Sequence, residues 1–136
     1  MSRKIFINLA VADLQRSIDF FTGLGFTFNP QFSDASGTCM VISPEIHAML
    51  LTHDKFKSFL PPGRTMVDSS KSHEMFLALN YDSRAEVDAL VDKALATGGT
   101  KAQSEPADHG FMYGRSFHDP DGHAWEIFWF DPAALK

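Results

Sequence analysis

Residues 4–24 read KIFINLAVADLQRSIDFFTGL, and half a chain later residues 74–95 read EMFLALNYDSRAEVDALVDKAL. At the start of each stretch every second residue is apolar, which is typical of a strand with one buried face. Each then changes to apolar residues at helical spacing, behind an aspartate or serine that suits a helix N-cap. The repeat therefore predicts two modules that both start with a strand followed by a helix.

The alternation places the side chains of each predicted strand on two opposite faces. The face expected to pack on the helices carries Ile5, Ile7, Leu9 and Val11 in one strand and Met75, Leu77, Leu79 and Tyr81 in the other. The opposite, concave face carries Phe6, Asn8 and Ala10, and Glu74, Phe76, Ala78 and Asn80. We expect functional residues on this concave face.

Three extended segments follow each helix, separated by turn residues. They are predicted at 26–32, 38–43 and 46–53, and at 100–104, 112–117 and 124–130. Both modules thus read β-α-β-β-β. We expect one α+β domain over residues 1–136, with module one at 1–56, an exposed linker at 57–73 and module two at 74–136, because either half alone would bury too little apolar surface.

The composition excludes several classes of function. A net charge of −5, with scattered Lys and Arg, argues against a nucleic-acid partner. No apolar stretch approaches membrane length, so we expect no membrane partner. The single cysteine, Cys39, lies in an apolar run and is predicted to be a buried structural thiol, which fits a reducing, cytoplasmic location. The thirteen Phe residues fit either a bulky core or an apolar cavity.

Two motifs identify a family. Residues 8–14 read NLAVADL, with SIDFF at 17–21, and residues 119–126 read DPDGHAWE. Together with the order of elements, they resemble the vicinal-oxygen-chelate superfamily, which includes glyoxalase I, bleomycin- and fosfomycin-resistance proteins and extradiol dioxygenases. The resemblance covers nearly the whole chain. It implies a glyoxalase-like fold, in which two modules form a cupped mixed sheet around a ligand cavity, and it implies a homodimer.

The resemblance also implies where a metal centre would be. Metal-using members place His or Glu ligands in the first and last strand of each module. The matching positions here hold Phe6, Leu51, Phe76 and Glu126, and only the last has a side chain that binds metals. Since a cation needs about three protein ligands, we expect no cofactor of the usual kind.

A rearranged site for a divalent metal is the fallback. His53 lies two positions after Leu51, and Glu74 lies two positions before Phe76. Strand alternation would put the members of each pair on one face, so His53, Glu74 and Glu126 could form an unusual triad.

The other five histidines are weaker candidates for ligands. His118 and His123 flank a turn, His109 lies in a polar loop, and His47 and His73 lie at strand starts, where we expect solvated edge residues.

Without a metal, the concave face offers an apolar pocket with a few polar groups, which is the usual make-up of a small-molecule site. The predicted ligand-binding residues are Phe6, Asn8, Leu51, Phe76, Asn80, Arg115 and Phe128. The predicted catalytic residue is Glu126, whose carboxyl would have a raised pKa in such a pocket unless Arg115 pairs with it. Two interpretations of Glu126 stay open: a general base, or a structural hydrogen-bond partner. Arg115 could instead lie at the rim and meet an anionic substrate.

Three functions follow. The first is a metal-independent protein that binds or sequesters a small, largely apolar molecule. The second is a metal-dependent lyase, isomerase or dioxygenase of the glyoxalase type with a rearranged site. The third is metal-free proton transfer with Glu126 as the base, which uses the pocket of the first but predicts turnover.

Overall fold

A computed structural model describes residues 2–102 and 105–135 of the chain. The chain divides into two compact units, unit 1 at Met1–Val67 and unit 2 at Asp68–Lys136. Each unit is built around one mixed β-sheet.

Residues 2–67 of unit 1 contain four strands and two helices. They are β1 (Ile5–Val11), α1 (Leu14–Gly23), β2 (Thr27–Asp34), β3 (Gly37–Val41), β4 (Ile46–Thr52) and α2 (His53–Ser58). The strand order in the sheet is β1-β4-β3-β2. The pair β1 and β4 is parallel, and the other neighbours are antiparallel.

Unit 2 repeats this plan. Its elements are β5 (Phe76–Asn80), α3 (Arg84–Ala96), β6 (Thr100–Lys101), β7 (Ala107–Asp108), β8 (Met112–His118), β9 (Ala124–Phe130) and a 3-10 helix (Pro132–Leu135). The strand order is β5-β9-β8-β6, with β7 paired to β8, and β5 is parallel to β9. Apart from the added β7, this order matches unit 1 strand for strand. The α+β class and the twofold βαβββ order predicted from the repeat are confirmed.

The capping residues begin both long helices where the sequence predicts. The Asp13 carboxylate accepts a hydrogen bond from the Arg16 amide (3.1 Å), and the Ser83 hydroxyl accepts one from the Glu86 amide (3.1 Å). Glu86 in turn accepts from the Asp82 amide (2.8 Å). These contacts satisfy amide groups that have no partner inside the helix.

The core of unit 2 lies between its sheet and α3. Phe117, Trp125 and Ile127 are each about 1% exposed, and Val87 and Val91 on α3 are equally buried. Alternation along the strands then fixes a second face, which points away from α3. We call this second face the open face; it carries Phe76, Ala78 and Asn80 on β5, Ala124, Glu126, Phe128 and Phe130 on β9, and Met112, Gly114, Ser116 and His118 on β8.

The structure differs from the sequence prediction at three segments. His53 does not extend the strand before it but begins α2, where the Thr52 hydroxyl accepts from the Lys55 amide (3.3 Å). The polar loop predicted after 104 contains the short strand β7. The strand predicted at 100–104 is β6 at Thr100–Lys101, and positions 103 and 104 lie outside the described residues.

Two smaller expectations concern burial and membranes. Cys39 is fully buried, as predicted, and burial raises the pKa of its thiol. Across residues 2–102 and 105–135, none of the helices combines the length and apolar character needed to span a bilayer.

Candidate ligand-binding groove

The open face of unit 2 contains a groove of about 380 Å³. Strands β5, β7, β8 and β9 supply its walls. The lining residues are Ala78, Glu105, Ala107, Met112, Gly114, Arg115, Ser116, Glu126, Ile127 and Phe128. The volume falls within the range of about 300 to 1,000 Å³ that is usual for small-molecule sites.

Small side chains create the hollow. In the sheet register, Glu126 lies between Ala78 on β5 and Ser116 on β8, and Gly114 lies beside Phe128. A Cβ atom at Gly114 would be 3.5 Å from the Phe128 Cβ, an ordinary contact, so a side chain fits there only by filling the groove. The groove therefore places the Glu126 carboxylate among small and apolar neighbours, and Glu105 is a second acidic residue of its lining.

Glu126 projects into this groove from the middle of β9. No hydrogen bond or ion pair of the described residues in unit 2 engages its carboxylate, so the structural role considered for it has no partner within the unit. Glu126 is also exposed. The groove therefore leaves this side chain accessible to solvent.

The guanidinium of Arg115 does not lie on the open face. It pairs in register with Ile127, so its side chain lies on the helix side of the sheet. There its Nη1 donates to Asp88 (3.0 Å) and Asp92 (2.8 Å) on α3. The suggestion that Arg115 pairs with Glu126 is wrong, because alternation puts the two side chains on opposite faces.

The same helix side holds a second contact to Asp88. The Tyr113 hydroxyl donates to Asp88 Oδ1 (2.6 Å), and this hydrogen bond lowers the pKa of that carboxyl. Tyr113 and Arg115 together fix β8 against α3, and so they position the groove wall without lining it through their polar groups.

Phe76 and Asn80 share the open face but do not line the groove. Phe76 pairs with Ala124 and is 64% exposed, and its ring centroid lies 5.8 Å from that of His73. Asn80 pairs with Phe128 and is exposed. Both lie on β5, on either side of Ala78.

The remaining predicted ligand-binding residues belong to unit 1. Phe6 is 46% exposed and stacks on His47 with ring centroids 4.5 Å apart, whereas Leu51 is buried. The Asn8 amide donates to the Phe6 carbonyl (3.3 Å). His47 is 9% exposed, so the expectation of a solvated edge residue is wrong: its position on an inner strand of the sheet, β4, buries it.

The family's metal-ligand positions can now be compared through the sheet register. Phe6 and Phe76 stand at the same distance before the N-caps of α1 and α3, so they are equivalent. Glu126 pairs with the residue two after Phe76, and Met49 pairs with the residue two after Phe6. Met49, rather than Leu51, therefore corresponds to Glu126.

The four equivalent side chains do not fit the usual metal centre. Two are phenyl rings and one is a thioether, which leaves Glu126 as the single hard donor where about three protein ligands are needed. Within the described part of each unit, no three His, Cys, Asp or Glu side chains lie close enough to hold a metal ion.

The fallback triad loses its geometric basis. His53 begins α2 instead of continuing β4, and Glu74 precedes the first residue of β5. The alternation that would have aligned these side chains with the strand faces does not apply outside a strand.

Arg84 helps to hold the groove in place, although it was not predicted from the sequence to be a functional residue. Its guanidinium donates to both Asp108 carboxylate oxygens (2.9 Å each) and to the Gly110 carbonyl (2.9 Å), which ties β7 to the start of α3. The hydrogen bonds from Arg84, together with one from the Gly110 amide (3.0 Å), lower the Asp108 pKa to about 2. A cation in the first turn of a helix interacts unfavourably with the helix dipole. This unfavourable position was the one indication in the sequence that Arg84 pairs with an acidic residue elsewhere.

Asp119 explains the turn at residues 118–123, whose sequence HDPDGH contains several side chains of the types that bind metals. It is 3% exposed, and its carboxylate accepts from the Asp121 amide (2.9 Å), the His123 amide (3.0 Å) and the Trp125 indole (3.0 Å). The predicted turn between β8 and β9 is confirmed, and a buried carboxylate holds it together.

With this geometry in hand, comparison with known proteins decides the family. The family model described as Glyoxalase/Bleomycin resistance protein/Dioxygenase superfamily matches residues 5–127. The chain belongs to this superfamily. The resemblance identified from the sequence motifs is confirmed.

Several solved structures share the fold. A hypothetical protein from S. aureus is 27% identical, with 95% of each chain covered and a TM-score of 0.77. A glyoxalase/bleomycin resistance protein/dioxygenase family enzyme from Burkholderia phytofirmans PsJN is 16% identical, with 95% of this chain and 99% of that chain covered and a TM-score of 0.76. The fosfomycin resistance protein FosX from Listeria monocytogenes is 19% identical, covering 95% and 93%, with a TM-score of 0.66.

No curated protein gives a significant match to the chain. Members of the superfamily share a scaffold and differ in chemistry, so membership gives the fold and leaves the activity to be argued from the groove.

Proposed function

We propose that the protein binds a small, largely apolar molecule in the groove of unit 2, with Glu126 as the polar contact. The observation that carries the proposal is the Glu126 carboxylate, which makes no hydrogen bond or ion pair to the described residues of unit 2 and lies in a groove of about 380 Å³. Ala78, Gly114 and Phe128 supply the apolar surface, and Glu126 can accept a hydrogen bond from the ligand.

Filling the groove tests this proposal. Gly114→Val places a branched side chain in the hollow, at a backbone position with no closer obstacle than 3.5 Å. We expect the variant to fold and to lose ligands found by screening small aromatic and aliphatic compounds against the wild type. Ala85→Leu, on the exposed surface of α3, is the matched control. Equal binding by Gly114→Val and wild type would contradict the proposal.

We propose further that binding uses no metal centre of the family's usual kind. The support is chemical: the rings of Phe6 and Phe76 and the thioether of Met49 stand where oxygen and nitrogen donors are required. A metal-dependent lyase, isomerase or dioxygenase of the glyoxalase type with a rearranged site remains the alternative.

Sequestration and proton transfer use the same groove and differ in the role of Glu126. A carboxylate beside a bound carbon acid can remove a proton, whereas the amide of Glu126→Gln cannot. Sequestration of a neutral ligand predicts that Glu126→Gln keeps affinity within a few fold. Proton transfer predicts that exchange of a ligand C–H proton with solvent, followed by NMR in deuterated buffer, stops in this variant. We propose sequestration as the primary function.

The assembly and location of the protein are also proposals. We propose a homodimer in the cytoplasm, supported by the family resemblance and by the single buried cysteine. Light scattering on the purified chain tests the first point, since a mass near 15.1 kDa would contradict a dimer.

A further inference from the structure

The charge of the protein is unevenly divided between its two units. Residues 68–136 hold twelve Asp and Glu against six Lys and Arg, a net charge of −6, whereas residues 1–67 hold five against six, a net charge of +1. The whole negative charge of the chain therefore belongs to the unit that contains the groove. A cleft bounded by charges of one sign attracts small ions of the opposite sign and raises their local concentration.

The lining of the groove adds two carboxylates to this background. Glu126 projects from the middle of β9, and Glu105 lies just before β7. Neither carboxylate makes a hydrogen bond or an ion pair to the described residues of unit 2. Both residues are exposed, so each negative charge is accessible to a ligand.

The basic side chains near the groove do not offset these charges. Among the described residues that line the groove, Arg115 is the one cation, and its guanidinium lies on the helix side of the sheet, where it donates to Asp88 and Asp92. Arg84, which holds β7 in place, donates to Asp108. Both guanidinium groups are therefore already paired with carboxylates, and neither is available to an anionic ligand.

The walls beside Glu126 are apolar and partly aromatic. Phe128 lines the groove and stacks on Phe130, with ring centroids 6.0 Å apart. An aromatic face can pack on a hydrocarbon or a ring and can also attract a cation. A neutral ligand would displace water from the Glu126 carboxylate without compensating its charge, and an anionic ligand would meet like charges.

We propose that the groove selects an organic ammonium ion, that is, an amine protonated at neutral pH and attached to an aromatic or aliphatic body. The ammonium group donates to Glu126, the charge of Glu105 adds to the attraction, and the body packs on Phe128. Hydrogen bonds between charged groups are stronger than those between neutral groups. This inference rests on the proposed function, because it names the class of molecule that the same groove binds.

Three probes that share a naphthalene ring and differ in charge test the inference. Naphthylmethylamine carries the ammonium group, naphthylmethanol carries a neutral hydroxyl, and naphthoate carries a carboxylate at the same ring position. Equilibrium dialysis against the full-length protein at neutral pH measures the affinity of each probe. We expect the amine to bind about fivefold more tightly than the alcohol, a modest gain because the carboxylates are exposed, and we expect the naphthoate to bind most weakly.

Two isosteric variants show which carboxylate makes the contact. Glu126→Gln should lower the affinity for the amine about fivefold and leave the affinity for the alcohol within about twofold of wild type. Glu105→Gln should lower the affinity for the amine by a smaller factor. Asp54→Asn in α2 of unit 1 removes the same charge from the chain and is the matched control, which should bind the amine as wild type does. An amine affinity that Glu126→Gln leaves unchanged would overturn the inference.

The ionic strength gives a second readout of the charge. Raising the salt to about 0.5 M NaCl should weaken binding of the amine, because salt screens exposed charges, and should not weaken binding of the alcohol. Equal salt dependence of the two probes would contradict an ion pair in the groove.

The outcomes separate this inference from the proposed function. If the alcohol or the naphthoate binds as tightly as the amine, and Gly114→Val abolishes that binding, the groove is a ligand site but its preference for ammonium ions is wrong. If no probe binds, or if Gly114→Val binds the probes as wild type does, neither the inference nor the proposed function holds.

Discussion

Replacing Asp119 by Ala should destabilise the protein strongly. The substitution removes the acceptor of three hydrogen bonds, to the Asp121 and His123 amides and to the Trp125 indole, from a site that is 3% exposed. At about 1 kcal/mol net for each bond, the free energy of unfolding should fall by about 3 kcal/mol. Urea denaturation measures the change, and a loss of this size lowers the midpoint by about 1 to 3 M.

The control for this measurement is Asp54→Ala, which removes the same charge from an exposed position in α2. It should change the free energy of unfolding by less than about 0.5 kcal/mol. If Asp119→Ala lies as close to wild type as this control, the carboxylate does not hold the turn, and the structural explanation of the DPDGH motif is wrong.

Asp119 also predicts a pH dependence with a definite sign. Burial raises the pKa of its carboxyl in spite of the hydrogen bonds it accepts. The folded state therefore binds the proton more tightly than the unfolded state, and the contribution to stability falls as pH rises from about the ordinary value of 3.8 through the folded-state value. Relative to Asp119→Asn, wild type should gain stability as pH is lowered through this window. The opposite slope would contradict a raised pKa.

Three further predictions test individual contacts. Arg84→Gln should raise the Asp108 pKa from about 2 toward its ordinary value, as followed by carboxyl NMR; an unchanged pKa would show that the ion pair is not its cause. Gly122→Ala should cost about 1 to 3 kcal/mol in urea denaturation, because Gly122 has φ +90° and an added Cβ would lie 2.5 Å from the Ser69 carbonyl oxygen; a neutral effect would refute this close approach. The Cys39 thiol should react with a thiol reagent only on unfolding, since burial shields it and raises its pKa, and rapid reaction of the native protein would contradict its burial.

The sequence predicts the fold well because both long helices have apolar residues at helical spacing and recognisable capping residues. The sequence predicts Asp13 and Ser83 as N-cap residues, and both form N-caps in the structure. The order of the elements then follows from turn residues between the strands. The strand order in each sheet was not predicted, because nothing in one sequence states that β1 pairs with β4.

The candidate site was only partly predictable. Glu126 and Phe128 follow from strand alternation, which fixed their common face. Arg115 does line the groove, but the pairing considered between Arg115 and Glu126 is wrong. The partners of Arg115 lie on α3, and only the folded structure brings them together.

His53 and His47 show two other limits of sequence analysis. The apolar segment at 46–53, which ends in a threonine and a histidine, was predicted as one strand. In the structure Thr52 caps a short helix that starts at His53. His47 lies near the start of a strand, where exposure is usual, but its burial depends on its neighbours across the sheet, Phe6 and Val41. Neither pairing is visible in a single sequence.

The most direct test of the central claim is the metal content of the purified protein, combined with titration of Ni²⁺, Zn²⁺ and Fe²⁺ into wild type and Glu126→Gln. We expect that neither protein contains or binds a stoichiometric ion tightly, because Phe6, Met49 and Phe76 offer no hard donors beside Glu126. One tightly bound ion per chain in wild type, lost in Glu126→Gln, would contradict it.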